Sequence, residues 1–182
     1  EISGTIVLDD KHRESGNYDL RVDNGVLKPQ ALQKLSRYKI PENNQFTLET
    51  KGVIAKKQLN GDIRLKSTLM DAVFTSLSYD LKEKLLLSEY DLLVHDVNVW
   101  MPKANRGSKS PVRAEGSLKY KDRLSISGVM KGIGEKVSFR YDSQQLKVDA
   151  SKLLVEKILA LTANPIYAKG TMDAKVDFTR LD

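Results

Sequence analysis

Hydrophobic and polar residues alternate along most of this chain. The alternation is clearest over 62–69 and 112–120, where every second residue is apolar or small and most residues between them are charged or polar. The same period recurs over 124–128, 137–141 and 146–150. A period of two residues is typical of a β-strand with one buried face and one face in water. The pattern therefore predicts strands over all five segments.

Short turn-like segments separate the predicted strands. We expect turns at Asn60-Gly61, Tyr79-Asp80, Lys121-Asp122, 132–134 and Asp142-Ser143. Because consecutive strands joined by short turns pair antiparallel, the middle of the chain is predicted to be a meander. One longer interruption, 102–111, is polar and basic, begins and ends with proline, and predicts a loop.

Two segments depart from the alternation and predict short helices. In 151–161 apolar residues recur at helical spacing, and Ser151 is placed to cap the first turn. In 29–38, Leu32 and Leu35 share one face and a proline occupies a first-turn position. The predicted fold is therefore all-β with minor α. It is a curved antiparallel β-meander, a groove or an open sandwich, with the two short helices packed on its end or face.

The surroundings of the two predicted helices indicate an internal repeat at an offset of 126 residues, between 16–55 and 142–178. Residues 20–23 correspond to 146–149, and Phe46 corresponds to Met172. Both segments have the order strand, helix, proline, strand. Alternating Leu and Val occur in any β protein, so chance is the alternative explanation. A true repeat would make residues 1–182 a single β-rich unit excised from a longer repetitive chain.

The composition agrees with a folded domain. Of the 182 residues, 40% are hydrophobic and 30% are charged, which excludes a disordered tail. The run of about 18 apolar residues that a membrane-spanning helix needs is absent from the sequence. The chain has no cysteine, which excludes disulfides and thiolate ligands. The net charge of +6 comes from dispersed Lys and Arg, which favours a solubility role over attraction to anionic surfaces.

The residue types that carry catalysis and metal binding are sparse. His12 and His95 are the two histidines, and neither has a partner at metal-ligand spacing. Gly128, Gly132 and Gly134 lack the spacing of a phosphate-binding loop and predict turns or bulges. With no set of nucleophile, base and orienting group, we expect no enzyme activity, no catalytic residue, no cofactor and no metal.

A nucleic-acid partner is not expected either. The isoelectric point of about 9.3 would suit one, but aromatic residues make up only 7% of the chain. The basic residues also alternate with acidic ones instead of forming one stripe.

The segment from Leu153 to Phe178 combines a leucine-rich helix, Asn164-Pro165, and a glycine that opens the alternating strand Gly170-Thr171-Met172-Asp173-Ala174-Lys175-Val176-Asp177. This combination resembles the AsmA-like family of bacterial envelope proteins, the TamB and YhdP group. The likeness covers about the last forty residues and is fainter over 16–55, whereas the middle of the chain agrees only in being a β-meander.

The resemblance implies a repeating β-groove that crosses the periplasm, tethered to the inner membrane by another part of the chain. Its apolar concave face would bind or conduct the acyl chains of phospholipid or another lipid toward the outer membrane, in outer-membrane biogenesis. The family has no catalytic residues to transfer to this sequence. Unpaired terminal strands would also favour a homodimer through the sheet edges.

Apolar residues at alternating strand positions are the candidates for the lipid-facing surface. They are Ile63, Leu65, Phe74, Leu77, Leu85, Leu87, Leu92, Val94, Leu118, Leu124, Ile126, Val137 and Phe139. The alternative is that these residues form the closed core of a β-sandwich with a structural or protein-binding role, since apolar strand faces usually pack on protein. A groove leaves the apolar face partly open, whereas a sandwich covers it.

Overall fold

The computed structural model describes residues 1–8, 15–27, 44–96, 111–161 and 168–179. The predicted helix over 29–38 and all of the predicted loop except Pro111 lie outside the described residues, as does His12.

Within the described ranges the chain forms eleven strands and one short helix. The strands are β1 (Ile2–Leu8), β2 (Ser15–Leu27), β3 (Asn44–Ala55), β4 (Gln58–Ser67), β5 (Met70–Asp80), β6 (Leu85–Val94), β7 (Val112–Tyr120), β8 (Leu124–Lys131), β9 (Gly134–Asp142), β10 (Gln145–Leu154) and β11 (Thr171–Thr179). The helix α1 spans Val155–Leu161.

The strands form a single antiparallel sheet in which spatial order equals sequence order from β1 to β11. The sheet is open, with β1 and β11 at its two edges. The predicted all-β antiparallel meander is thus confirmed. At about 4.8 Å between strands, the sheet measures roughly 48 Å from edge to edge.

The helix begins later than the sequence predicts. Residues 151–154 continue β10, where Ser151 is paired with Lys136 and Leu153 with both Gly134 and Met172. The prediction that Ser151 caps a helix is therefore wrong, because pairing with Lys136 of β9 holds this residue in the strand. Ile158 of α1 packs against the small core formed by Val137, Ala150 and Leu153.

The turn predicted at Asn60-Gly61 is also misplaced. Both residues lie inside β4, where Gly61 pairs with Gly52 of β3. The strands instead reverse at Lys56 and Lys57, whose φ angles are 49° and 68°. Two successive left-handed residues are the geometry of a type I′ hairpin, which Asn-Gly normally occupies. The left-handed conformation costs a non-glycine residue about 1–2 kcal/mol.

The other turns lie close to their predicted places. The turns after Tyr120, Lys131 and Asp142 agree with the prediction, while the turn near Asp80 begins one residue later, at Leu81. Asp80 Oδ1 accepts hydrogen bonds from the backbone of Lys82 and Glu83, and Asp142 Oδ1 accepts them from Gln144 and Gln145. These carboxylates supply acceptors for turn amides, which is the ordinary role of Asp before a turn.

Three strands contain a bulge marked by a left-handed residue, Asn24 in β2, Ser76 in β5 and Lys152 in β10. A neighbouring strand supplies an acceptor in two of them. The amide of Ser76 donates to Asp62 at 3.2 Å, and the amide of Lys152 donates to Asp173 at 2.8 Å. Each bulge adds one residue to its strand, so the alternation of faces changes phase there.

The pairing of β2 with β3 closely matches that of β10 with β11. Val22 pairs with Leu48 before the first bulge, as Ala150 pairs with Ala174 before the second. After the bulge, Gly25 faces Phe46 as Leu153 faces Met172. In this register β10 corresponds to β2 at an offset of 128 residues, and β11 corresponds to β3 at an offset of 126. Residues 20–23 are therefore equivalent to 148–151, whereas the sequence pattern matched them to 146–149. The internal repeat itself stays a prediction.

Candidate functional site

The strand register divides the side chains between two faces, because residues paired across antiparallel strands point to the same side. One row of partners crosses the whole sheet. It contains Gly4, Leu20, Thr50, Ile63, Phe74, Tyr90, Gly116, Gly128, Phe139, Val148 and Val176. We call the side that bears this row the apolar face. The opposite side, which bears most of the strand charges, is the charged face.

Most of the predicted lipid-facing residues share the apolar face. The pairing places eleven of the thirteen there, namely Ile63, Leu65, Phe74, Leu77, Leu92, Val94, Leu118, Leu124, Ile126, Val137 and Phe139. The sequence pattern therefore located this surface without the register.

Leu85 and Leu87 were placed on the wrong face. Leu85 pairs with Asp80, and Leu87 pairs with Ser78 and Lys119, all on the charged face. Leu86 between them is the residue that faces the apolar side. Three consecutive leucines show no alternation, so the pattern could not select between them.

Burial on the apolar face is deepest at β9 and β10, where α1 packs on the sheet, and the two edge strands are the most exposed. Val137 is only 2% exposed, because Ala150, Leu153 and α1 cover it. The other ten apolar-face candidates are intermediate in burial. At the edges, Ile2 in β1 is 79% exposed and Phe178 in β11 is 63% exposed. An apolar ligand would therefore meet accessible side chains along most of the face, but not Val137.

No second layer covers the apolar face within the described ranges of the chain. Each strand contacts chiefly its neighbours in the sheet, and α1 contacts β10. The chain exposes 13017 Å² of surface, whereas a compact protein of 20.5 kDa exposes roughly 8,900 Å². An open single-layer sheet contributes to this excess, since both of its faces meet solvent.

Two tyrosine and glycine groups on the apolar face were missed in the sequence. Tyr90 pairs with Gly116, which pairs with Gly128, so three adjacent strands present Tyr, Gly and Gly in one row. A Cβ added at Gly128 would lie 2.5 Å from the Tyr90 hydroxyl, so the ring reaches across both glycines. The signal lies in the register, since the three residues are distant in sequence.

The second group repeats this arrangement in β2, β3 and β4. Tyr18 pairs with Gly52, which pairs with Gly61. A Cβ added at Gly52 would lie 2.6 Å from the Tyr18 hydroxyl. In both groups an aromatic side chain fills the space left by two glycines, which keeps the face continuous.

Opposite charges pair across strands on the charged face. Arg21 contacts Glu49 at 3.1 Å, and Lys131 contacts Glu115 at 2.6 Å. Arg113 Nε donates to Asp91 Oδ1 at 2.7 Å, and this hydrogen bond lowers the pKa of the Asp91 carboxyl. These ion pairs are largely exposed, so each contributes little to stability.

One cleft on the charged face has a balanced charge. This shallow cleft has a volume of about 290 Å³. Its charged lining consists of Asp19, Arg21, Glu49, Lys51, Asp62 and Arg64. Three acids balance three bases there, so the cleft selects neither anions nor cations.

His95 belongs to a structural contact. Its Nε2 lies 3.3 Å from Asp71, and its Nδ1 lies 3.4 Å from the carbonyl oxygen of Thr68. Among the residues that the structure describes, no group of three or more His, Cys, Asp or Glu is arranged to hold a metal ion. None of the described helices has the length and hydropathy to cross a bilayer. No family model, curated protein or solved structure matches this chain.

Proposed function

We propose that the apolar face binds the acyl chains of phospholipid or a similar lipid, as part of a non-enzymatic AsmA-like protein of the periplasm. The observation that carries this proposal is one continuous apolar face across eleven strands, with no covering layer among the described residues. Conduction between the inner and outer membranes belongs to the same proposal, and so does tethering to the inner membrane through another part of the protein.

The chemistry of the face suits hydrocarbon. Its side chains are largely branched aliphatic or aromatic, with few polar atoms. The hydroxyl of Tyr90 is satisfied by the backbone, since it donates to the carbonyl of Ser127. Apolar burial is non-directional, so an acyl chain can shift along such a surface without breaking hydrogen bonds. An open apolar face of this breadth also needs a partner in water.

The topology supports a groove that extends beyond these strands. Each strand pairs with the next in sequence, and no described strand pairs with the outer side of β1 or β11. Further strands can be added at either edge without changing the register of the existing ones. The apolar face would then continue into its neighbours, as the resemblance to a repeating groove implies.

The alternative function is a structural or protein-binding module. A sandwich with a closed core requires two layers, and the described residues form one sheet. A partner protein, a second copy of the chain or residues outside the described ranges would then supply the other layer. The two proposals differ in whether hydrocarbon or protein covers the apolar face.

Native mass spectrometry of the purified protein, followed by organic extraction and lipid analysis, tests the proposal. We expect co-purifying phospholipid, or uptake of phospholipid on challenge. Two outcomes would favour the binding module. The protein stays free of lipid in both experiments, or a stable protein partner covers its apolar face.

A further inference from the structure

A row of basic turns lies at one end of the strands, and it runs across the sheet instead of along the edge strands β1 and β11. In a meander of this order, the hairpins after β3, β5, β7 and β9 all lie at the same ends of the strands. Three of these turns, 56–57, 81–84 and 121–123, are basic, and we call them together the basic edge. Neighbouring turns in the row are two strand spacings apart, or roughly 10 Å.

The basic edge has a clear excess of positive charge. Its cations are Lys56, Lys57, Lys82, Lys84, Lys121 and Arg123, and its anions are Glu83 and Asp122. All eight are exposed. The described hairpins at the opposite ends of the strands, 68–69 and 132–133, contain no charged residue. Among the described hairpins, a net charge is therefore found only at the basic edge, whereas much of the charge on the charged face is paired.

Direct contacts join the three turns. The amide of Leu81 donates to the carbonyl oxygen of Lys57 at 2.9 Å. Lys121 Nζ lies 3.1 Å from Glu83 Oε2. The turns are thus fixed relative to one another, and they present their charges as one surface.

Three lysines of the basic edge have left-handed backbone conformations. The φ angles are 49° at Lys56, 68° at Lys57 and 52° at Lys84. Asparagine and glycine fit such positions with less strain. Left-handed backbone at three exposed lysines is an observation that points to a role for their positive charge.

Apolar and aromatic residues accompany these charges. Leu81 lies within the basic edge and is 52% exposed. Tyr79, Tyr120 and Tyr141 follow the adjoining rim of the apolar face, where Tyr120 is 47% and Tyr141 is 38% exposed. Apolar surface, then tyrosine, then lysine is the order of residues from hydrocarbon to headgroup at a membrane interface.

From this arrangement we infer that the basic edge docks on the surface of a membrane that contains anionic phospholipid. The cations meet the headgroups, Leu81 enters the interface, and the tyrosine rim lies at headgroup level. Nucleic acid would bind the same charges but would gain no binding energy from an exposed leucine at the centre of the row. The inference does not depend on acyl-chain binding by the apolar face.

Vesicle flotation tests the docking directly. We expect the protein to float with vesicles of equal parts phosphatidylcholine and phosphatidylglycerol, and not with phosphatidylcholine alone. Added salt should weaken the binding. The variant Lys56→Asn/Lys57→Gly removes two charges while suiting the turn, and should bind roughly 25-fold more weakly, since each lysine near an anionic surface contributes about a factor of five. Leu81→Ser should reduce the binding that persists in salt.

A matched control removes two lysines elsewhere. In Lys66→Gln/Lys136→Gln the altered residues are exposed and lie roughly 20 Å or more from the basic edge, at about 3.3 Å per residue. This variant should bind like the wild type, since charges so far beyond the Debye length are screened. Three outcomes would overturn the inference. They are equal weakening of binding in both double variants, equal binding of the protein to neutral vesicles, and displacement of the vesicles by a DNA duplex at equal phosphate concentration. Lipid found by native mass spectrometry reports on the apolar face separately, and should be unchanged in Lys56→Asn/Lys57→Gly.

Discussion

The hydroxyl of Tyr90 donates a hydrogen bond to the backbone carbonyl of Ser127 at 3.2 Å, although a whole strand lies between the two residues. The ring reaches from β6 over Gly116 in β7 to the backbone of β8. Partial burial raises the pKa of the Tyr90 hydroxyl, so it stays a donor across the physiological range. The two glycines thus provide the space that lets one tyrosine tie three strands together.

Replacing Gly116 by alanine should destabilise the sheet. The new Cβ would collide with the carbonyl oxygen of Ser127, a backbone atom that cannot move without disturbing β8. We expect a loss of about 1–3 kcal/mol in the free energy of unfolding, as for other overpacked sites. Urea denaturation measures it, with Ser125→Ala on the charged face as a control that should change stability by less than about 0.5 kcal/mol. Equal losses in both variants would contradict this account of the glycine.

A charge placed on the apolar face should abolish lipid binding without unfolding the chain. Ile126 is half-buried in the middle of that face, and its neighbours there are apolar. Ile126→Asp introduces a carboxylate that hydrocarbon cannot solvate. We expect native mass spectra of this variant to show little or no phospholipid.

Leu87→Asp is the matched control for that experiment. It makes a similar chemical change on the charged face, where Leu87 is 41% exposed and pairs with Lys119. Lipid should therefore be retained. Loss of lipid from both variants, or from neither, would show that the apolar face is not the binding surface. Circular dichroism of each variant confirms that the strands remain.

The period-two pattern was enough to predict five of the strands, the meander and eleven of the thirteen apolar-face candidates. It failed where the alternation of faces is interrupted. The three leucines of 85–87 contain no polar residue that marks a face. Register and bulges depend on contacts between distant strands, which one sequence does not display.

The preference of Asn-Gly for tight turns gave a wrong prediction at one place, for a physical reason. Asn60-Gly61 is a strong hairpin dipeptide, yet Gly61 is needed in β4 opposite Gly52 and beneath Tyr18. The reversal is made by Lys56-Lys57, a pair with no local preference for left-handed backbone. Packing in the sheet therefore overrides the local turn preference.

Changing Lys56 and Lys57 to the residues that a type I′ turn prefers should stabilise the protein. Lys56→Asn/Lys57→Gly relieves two left-handed lysines, and we expect a gain of about 1–2 kcal/mol in the free energy of unfolding. Urea denaturation measures the gain. A stability equal to or below that of the wild type would mean that the two lysines make favourable contacts in the turn. A gain would leave charge as the reason for keeping lysine there.

Acid should weaken the turns that depend on carboxylates. Hydrogen bonds from backbone amides, chiefly those of Glu83 and Gln144, lower the pKa of Asp80 and of Asp142. Since the folded-state pKa lies below the unfolded value of roughly 3.9, the unfolded state takes up protons first as the pH falls. The stabilisation is therefore complete well above pH 4 and is lost as the pH falls through the folded pKa.

The variant Asp80→Asn/Asp142→Asn separates titration from hydrogen bonding. The amide oxygen can still accept from the turn amides but does not titrate. We expect lower stability than wild type at neutral pH and a smaller further loss between neutral pH and pH 3. Urea denaturation at a series of pH values measures both. An acid-induced loss as large as that of the wild type would assign the acid sensitivity to other carboxylates.

The two edge strands should drive self-association of the chain in isolation. No described strand pairs with the outer side of β1 or β11, and apolar side chains at both edges are exposed, including Val176 at 47% and Phe178 at 63%. Unpaired edges with apolar side chains recruit further strands unless a charge points inward from them. We expect a concentration-dependent dimer in sedimentation velocity.

Phe178→Lys places a charge on the apolar face of β11 and should shift the equilibrium to monomer, whereas Thr179→Lys, on the charged face of the same strand, should leave the dimer intact. A monomer at every concentration, or equal dissociation by both variants, would exclude pairing through β11, and any dimer that persists would then have to form through the apolar face or through β1.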